Sequence, residues 1–138
     1  MSTKPATPRK GTKAVERDLM RGAGPTAVLQ VLSKGEAYGY ELVEAISKST
    51  DGVLAMGQST LYPMLYNLEA KGLIKAEWKD APSGRRRKYY SLTPKGKRKL
   101  AEDVETWNAL AAAMRAIGVL RNALVPSGAN TPARGATA

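Results

Sequence analysis

Between Arg85 and Lys99 the chain places eight basic residues and no acidic one: Arg85, Arg86, Arg87 and Lys88, then Lys95, Lys97, Arg98 and Lys99. Like charges this close repel one another, so the block needs an anionic partner or open water around it. The chemistry on offer is multidentate anion binding. A polyanion of regular charge spacing, such as duplex DNA, is the most economical partner. Covalent chemistry is poorly provided for. The chain has no cysteine and no histidine, which removes thiol catalysis, disulfides, thiolate metal sites and the commonest general base. An enzyme would have to run on carboxylates, Lys, Ser or Tyr, so no catalytic residue, metal site or cofactor is expected.

A second set of residues offers hydrogen bonds rather than charge. In the stretch from Gln58 to Lys71, Leu61, Leu65 and Leu68 recur at helical spacing. At about 100° per residue, Ser59, Pro63, Tyr66 and Ala70 point to the opposite side, with Thr60, Asn67 and Tyr62 at its margins. Such an outer face suits base edges: Asn67 can bond bidentately to adenine, and Pro63 can touch a thymine methyl. Pro63 sits in the second helical turn, where it leaves a carbonyl without its usual partner.

The elements that must position these residues follow from the surrounding pattern. The formal net charge of +10 is typical of a nucleic-acid binder, with a membrane surface as the competing use. No stretch has the length of a transmembrane helix and no apolar signal core is visible, so a cytoplasmic protein, nucleoid-associated when bound to DNA, is expected. Residues 1–14 are basic and poor in apolar side chains and predict a disordered arm; residues 126–138 predict a disordered tail. A first helix is predicted from near Pro25 to Ser33; an amphipathic piece from Val15 to Arg21, broken by Gly22 and Gly24, either extends it or precedes it. A second is predicted from near Gly39 to Ser49, with Leu42, Val43 and Ile46 as its apolar stripe and Asp51-Gly52 as the turn after it. The third is the Gln58–Lys71 stretch, stopped by Gly72. Ile74, Ala76 and Trp78 then alternate with charged residues, Pro82-Ser83-Gly84 turns the chain, and Lys88 to Leu92 returns. Trp78 is expected on the buried side of this hairpin, and one of Tyr89 and Tyr90 must face the core.

Helix, turn, helix, helix and hairpin is the order of a winged helix-turn-helix. The predicted fold class is therefore mainly α with a small β-hairpin, a winged helix-turn-helix over residues 15–93. A last helix is predicted from Thr93-Pro94 to about Val125, a dimerisation helix over residues 94–125. Its seam of Leu100, Val104, Trp107, Ala111, Met114 and Gly118 is spaced four, three, four, three, four, as in a coiled coil. The seam predicts a homodimer; the alternative is that the helix folds back on its own domain.

Several segments together resemble the PadR family of bacterial transcriptional regulators. They are Gly39-Tyr40-Glu41-Leu42, Ser59-Thr60-Leu61-Tyr62-Pro63, Leu68-Glu69-Ala70-Lys71-Gly72-Leu73-Ile74, and Gly84-Arg85-Arg86-Arg87-Lys88-Tyr89-Tyr90-Ser91-Leu92-Thr93. The similarity runs roughly from Met20 to Met114, with a single helix after the wing as in the short subfamily. The resemblance implies a homodimeric repressor of a palindromic operator, with effector sensing in some members by phenolic acids or flat hydrophobic drugs. It implies that the helix holding Ser59 to Lys71 is the recognition helix. It also implies that Tyr40 and the wing basics, Arg85, Arg86, Arg87 and Lys88, meet the DNA backbone. Lys95 and Lys97, at the basic start of the last helix, are assigned to the backbone as well. Trp107 falls where some short members place a tryptophan at the dimer interface. It has two readings, a packing residue on an apolar seam or the wall of a pocket for a small aromatic ligand. This chain departs from the family in having Tyr38 where many members have histidine, and Tyr66-Asn67 in place of a frequent His-Arg pair. The readings from another class are a winged-helix protein-interaction module and a non-specific nucleic-acid-binding protein.

Overall fold

The computed structural model describes residues 14–121. The basic arm lies outside these residues save for Ala14, and the C-terminal tail lies outside them entirely. In chain order the elements are α1 (Arg17–Leu32), β1 (Ala37–Tyr38), α2 (Gly39–Ser49), α3 (Gln58–Ala70), β2 (Ile74–Asp80), β3 (Arg86–Leu92) and α4 (Pro94–Ala116). The strands form one antiparallel sheet in the order β1-β3-β2. This is a winged helix-turn-helix. Val28, Leu29 and Leu32 from α1, Leu42, Val43 and Ile46 from α2, and Leu61, Leu65 and Leu68 from α3 close on one core. Ile74, Tyr90 and Leu100 complete it.

Of the two alternatives for the Val15–Arg21 piece, the structure has the extension: α1 is one continuous helix through Gly22, Gly24 and Pro25. Gly24 is not a breaker but a point of close approach: a Cβ there would collide with the Met64 side chain of α3. Packing across the α1–α3 contact outweighs the poor helix propensity of the Gly-Ala-Gly-Pro run. The sheet also has a strand that the sequence reading lacks. β1 pairs Ala37 with Tyr90 and Tyr38 with Tyr89, too short a run for alternation to reveal.

α3 and α4 end in the same way. Gly72 (φ 74°) donates to Glu69 O while Leu73 donates to Leu68 O; Gly118 (φ 90°) donates to Arg115 O while Val119 donates to Met114 O. These are paired 5→2 and 6→1 closures around a left-handed residue. The last helix therefore stops at Ala116 rather than near Val125. Gly118, read as a small seam residue, supplies the positive φ that ends the helix.

The start of α4 is locked to the turn between α3 and β2. Thr93 Oγ1 accepts from the Gly96 N–H at 3.0 Å and donates to Gly72 O at 2.6 Å, and the Thr93 N–H donates to Leu73 O at 3.1 Å. Gly96 is buried, and a Cβ there would strike the Leu73 carbonyl, which is backbone and has nowhere to go. Gly96→Ala should cost about 1–3 kcal/mol, the usual penalty of overpacking. Urea unfolding measures it, and an unchanged midpoint would show that α4 can slide. Thr26 Oγ1 donates to Asp103 Oδ2 at 3.0 Å, joining α1 to α4, and Lys99 pairs with the same carboxylate at 2.8 Å. That hydrogen bond holds the Lys99 ammonium pKa above its ordinary value.

Residues 104–121 form a second unit. Within it Val104, Trp107 and Leu110 are exposed, while Ala111 and Met114 are half-buried. Leu100 belongs to the other unit and is buried in its core. It is a core residue of its own protomer, so the accessible part of the predicted seam begins at Val104.

Candidate nucleic-acid interface

α3 is held by Leu61, Leu65 and Leu68, all buried, and this fixes which side faces out. Ser59, Thr60, Tyr62, Pro63, Tyr66 and Asn67 are all exposed, as the helical period requires. Tyr66 is the most open of them, at 74%. Tyr62 is positioned more tightly. Its phenol rests on the backbone of Gly39, where a Cβ would collide with the phenolic hydroxyl oxygen, so the start of α2 steadies one margin of α3. There the Tyr38 N–H donates to Glu41 Oε1 at 3.2 Å, and Tyr40 stands exposed beside it. The predicted outer face of α3 and Tyr40 are therefore brought to one surface.

The wing divides its charges. Register pairs Trp78 with Lys88 and Asp80 with Arg86 on one face, and Lys79 with Arg87 and Glu77 with Tyr89 on the other. The sequence reading treated Arg85 to Lys88 as one block. In the structure Arg85 is at the turn, where the Ala81 N–H donates to Arg85 O at 2.6 Å. Arg86 reaches Asp80 at 3.9 Å, with both side chains mostly in water. Arg87 lies 4.3 Å from the Tyr38 ring centroid, and Tyr38 meets Tyr89 edge-on at 5.5 Å. On the same face Lys79 donates to Glu36 at 2.8 Å, which raises the lysine's pKa. Of the two wing tyrosines, Tyr90 is the one that faces the core, and burial pushes its phenol pKa up.

Trp78 is not buried, although it lies on the face that the alternation gives it. It is 57% exposed. Alternation does place it on the core side of the hairpin, below Ala76 and Ile74, but the strand has by then run past the edge of the core. It lines a groove with Arg86, Arg87, Lys88 and Tyr90 on the wing, Tyr38 and Gly39 at the start of α2, and Tyr62 of α3.

Lys95 is exposed and makes a contact within the chain. Its Nζ donates at 2.9 Å to the carbonyl of Lys71, the C-terminal cap of α3, where a cation also complements the helix dipole. Lys97 is exposed. Two residues absent from the sequence reading border the other margin of α3. Arg17 and Arg21 line a cleft with Ser59, Thr60, Pro63 and Asn67. Their i, i+4 spacing within the Val15–Arg21 piece is the available signal. Among the described residues no cluster of His, Cys, Asp or Glu could hold a metal ion, and no helix is long and apolar enough to cross a membrane.

The arrangement is a polar, aromatic helix face with cations along both margins. It can accept a groove-bearing polyanion, with the helix against the groove floor and the cations against its rims. The model of the transcriptional regulator PadR-like family matches residues 28–102. Over 93 residues the chain is 36% identical to an uncharacterized protein of Lysinibacillus sphaericus, a match that spans 67% of this chain and 85% of that protein. Among solved structures, a transcriptional regulator of Clostridium thermocellum matches with a TM-score of 0.67 at 30% identity, covering 74% of this chain and 96% of its own. Bacillus subtilis PadR, solved in complex with operator DNA, matches with a TM-score of 0.53 at 28% identity, over 58% of this chain and 45% of its own.

Proposed function

The chain belongs to the PadR-like family of transcriptional regulators, and from that premise we propose that it is a dimeric repressor that binds a palindromic operator in duplex DNA. Residues 15–93 are the DNA-binding domain and α4 supplies the dimer contact. The observation that carries the reading is the joint exposure of Ser59, Thr60, Tyr62, Pro63, Tyr66 and Asn67 on one face of α3, with basic residues at both its margins.

In this reading α3 enters the major groove and its side chains choose the sequence. Tyr40, the wing cations and Lys97 fix the protein on the phosphates and carry no base information. A two-fold dimer presents two copies of α3, so half-sites repeat at about one helical turn, roughly 34–36 Å. The seam of α4 brings Trp107 of the two protomers into a shared apolar site, whose flat rings suit a small aromatic effector. The effector releases the protein by favouring a dimer in which the two recognition helices no longer match the operator. A regulator of this kind works in the cytoplasm, on the nucleoid.

Sequence selection from a random duplex library tests the reading. Wild type should yield a palindromic logo. Asn67→Ala should lose about 1–3 kcal/mol on the best operator and relax one base position in each half-site. An unchanged logo would remove Asn67 from base readout, and a wild type that selects no sequence would sink the operator itself.

A further inference from the structure

Trp78 has no part in the base readout or the phosphate contacts described above, yet more than half of its surface is in water. Its neighbours indicate a use. Along the wing face that meets the core at Ile74 and Tyr90, the next pairs outward are Trp78 opposite Lys88, then Asp80 opposite Arg86. The Arg86 guanidinium lies 5.9 Å from the indole centroid. Across the groove stand Gly39 and Tyr62, at the margin of α3. Arg86 therefore lies over the ring, Lys88 stands opposite it in register with its ammonium 5.7 Å from the Tyr90 centroid, and the groove they line reaches the helix that would lie in the major groove.

Arg86 and Lys88 are two residues apart on one strand, about 6.7 Å. That is close to the separation of successive phosphates along one DNA strand. Trp78 is opposite Lys88 in register and 5.9 Å from the Arg86 guanidinium, so its ring lies beside the path of a backbone that offers one phosphate to each cation. Resting on the DNA-binding reading above, we infer that Trp78 is a DNA-contacting residue, packing its ring against the deoxyribose between phosphates held by Arg86 and Lys88. Asp80 does not block this. Its 3.9 Å pair with Arg86 is exposed at both ends, 67% and 79%, so a phosphate displaces it readily. The contact is apolar and releases no counterions. Its signature is affinity without salt dependence, which separates it from every cation around it.

The test uses the full chain and sheared genomic duplex DNA, since a sugar contact does not depend on sequence. Trp78→Ala should weaken binding on the order of tenfold, the scale of aromatic stacking on nucleic acid, with the slope of log affinity against log salt unchanged. Lys88→Ala should flatten that slope by about one. Trp78→Phe should recover part of the lost affinity. DNA should change the tryptophan emission of wild type, and that change should vanish in Trp78→Phe. Wild-type affinity in Trp78→Ala, or a flattened slope there, overturns the contact while the DNA-binding reading stands. A wild type that does not bind duplex at low salt overturns that reading, and the contact with it.

Discussion

Replacing Arg85, Arg86 and Arg87 with Ala should lower affinity for operator and random duplex alike by about 10²-fold for each protomer bound, at roughly 0.15 M salt. The figure follows from counterion release. Each phosphate contact contributes about 0.9 to the slope of log affinity against log salt, so three lost contacts flatten it by nearly three units for each protomer bound. Arginine forks bind phosphate oxygens well and carry no base information, so the loss should not depend on sequence. Folding should be little changed. The Arg86–Asp80 pair is exposed, and such pairs stabilise by about 0–1 kcal/mol. Arg87 is the member to watch, because its guanidinium stacks at 4.3 Å on Tyr38. If one of the three is held by the protein rather than by phosphate, it is Arg87, and the slope then falls by two. Salt titrations on operator and random duplex decide this. An unchanged slope would mean solvated surface, and a loss confined to the operator would mean that the wing reads sequence.

The double substitution Val104→Glu, Met114→Glu should give monomers. Val104, Trp107 and Leu110 expose 43%, 40% and 45% of their surface, an apolar stripe on one helix that a second copy would cover. Four carboxylates facing one another across a two-fold seam would be both desolvated and mutually repelled. A monomer engages one half-site, so the operator should be bound roughly 10²–10⁴-fold more weakly, the range that linked binding supplies. Sedimentation reads the oligomeric state directly. A variant that remains dimeric would place the interface elsewhere, and a monomer that still binds the full operator at wild-type strength would mean that one protomer suffices.

Periodicity and punctuation carried most of the helical framework. α2 lies where Gly39 and Ser49 bounded it, and α3 begins at Gln58 because Leu61, Leu65 and Leu68 share one face and Gly72 ends it. The outer face of α3 was legible for the same reason, since burial of one side fixes the other. Three features were not legible, each for a physical reason. Gly24 reads locally as a breaker, and only the Met64 side chain across the α1–α3 contact explains it. Trp78 obeys the two-residue alternation, but alternation says which face a residue takes and not where the core beneath that face ends. Lys95 looks like any exposed lysine until the Lys71 carbonyl, distant in sequence, is brought beside it. The missing information is tertiary in all three cases.

β1 contains two residues, yet its pairing of Ala37 and Tyr38 with Tyr90 and Tyr89 joins the entry of α2 to the base of the wing. The hairpin is thereby seated at folding, with Tyr38 clasped between Arg87 and Tyr89. The consequence is thermodynamic. A wing attached only by its own two strands would lose conformational entropy on meeting DNA, and that loss would weaken association. Here the ordering is complete beforehand. The heat-capacity change of association should then reflect surface brought into contact, without the excess that accompanies a segment folding onto its partner. Amides at the wing base should resist hydrogen exchange in the free protein nearly as well as the core does, while that of Ser83 at the exposed turn exchanges faster.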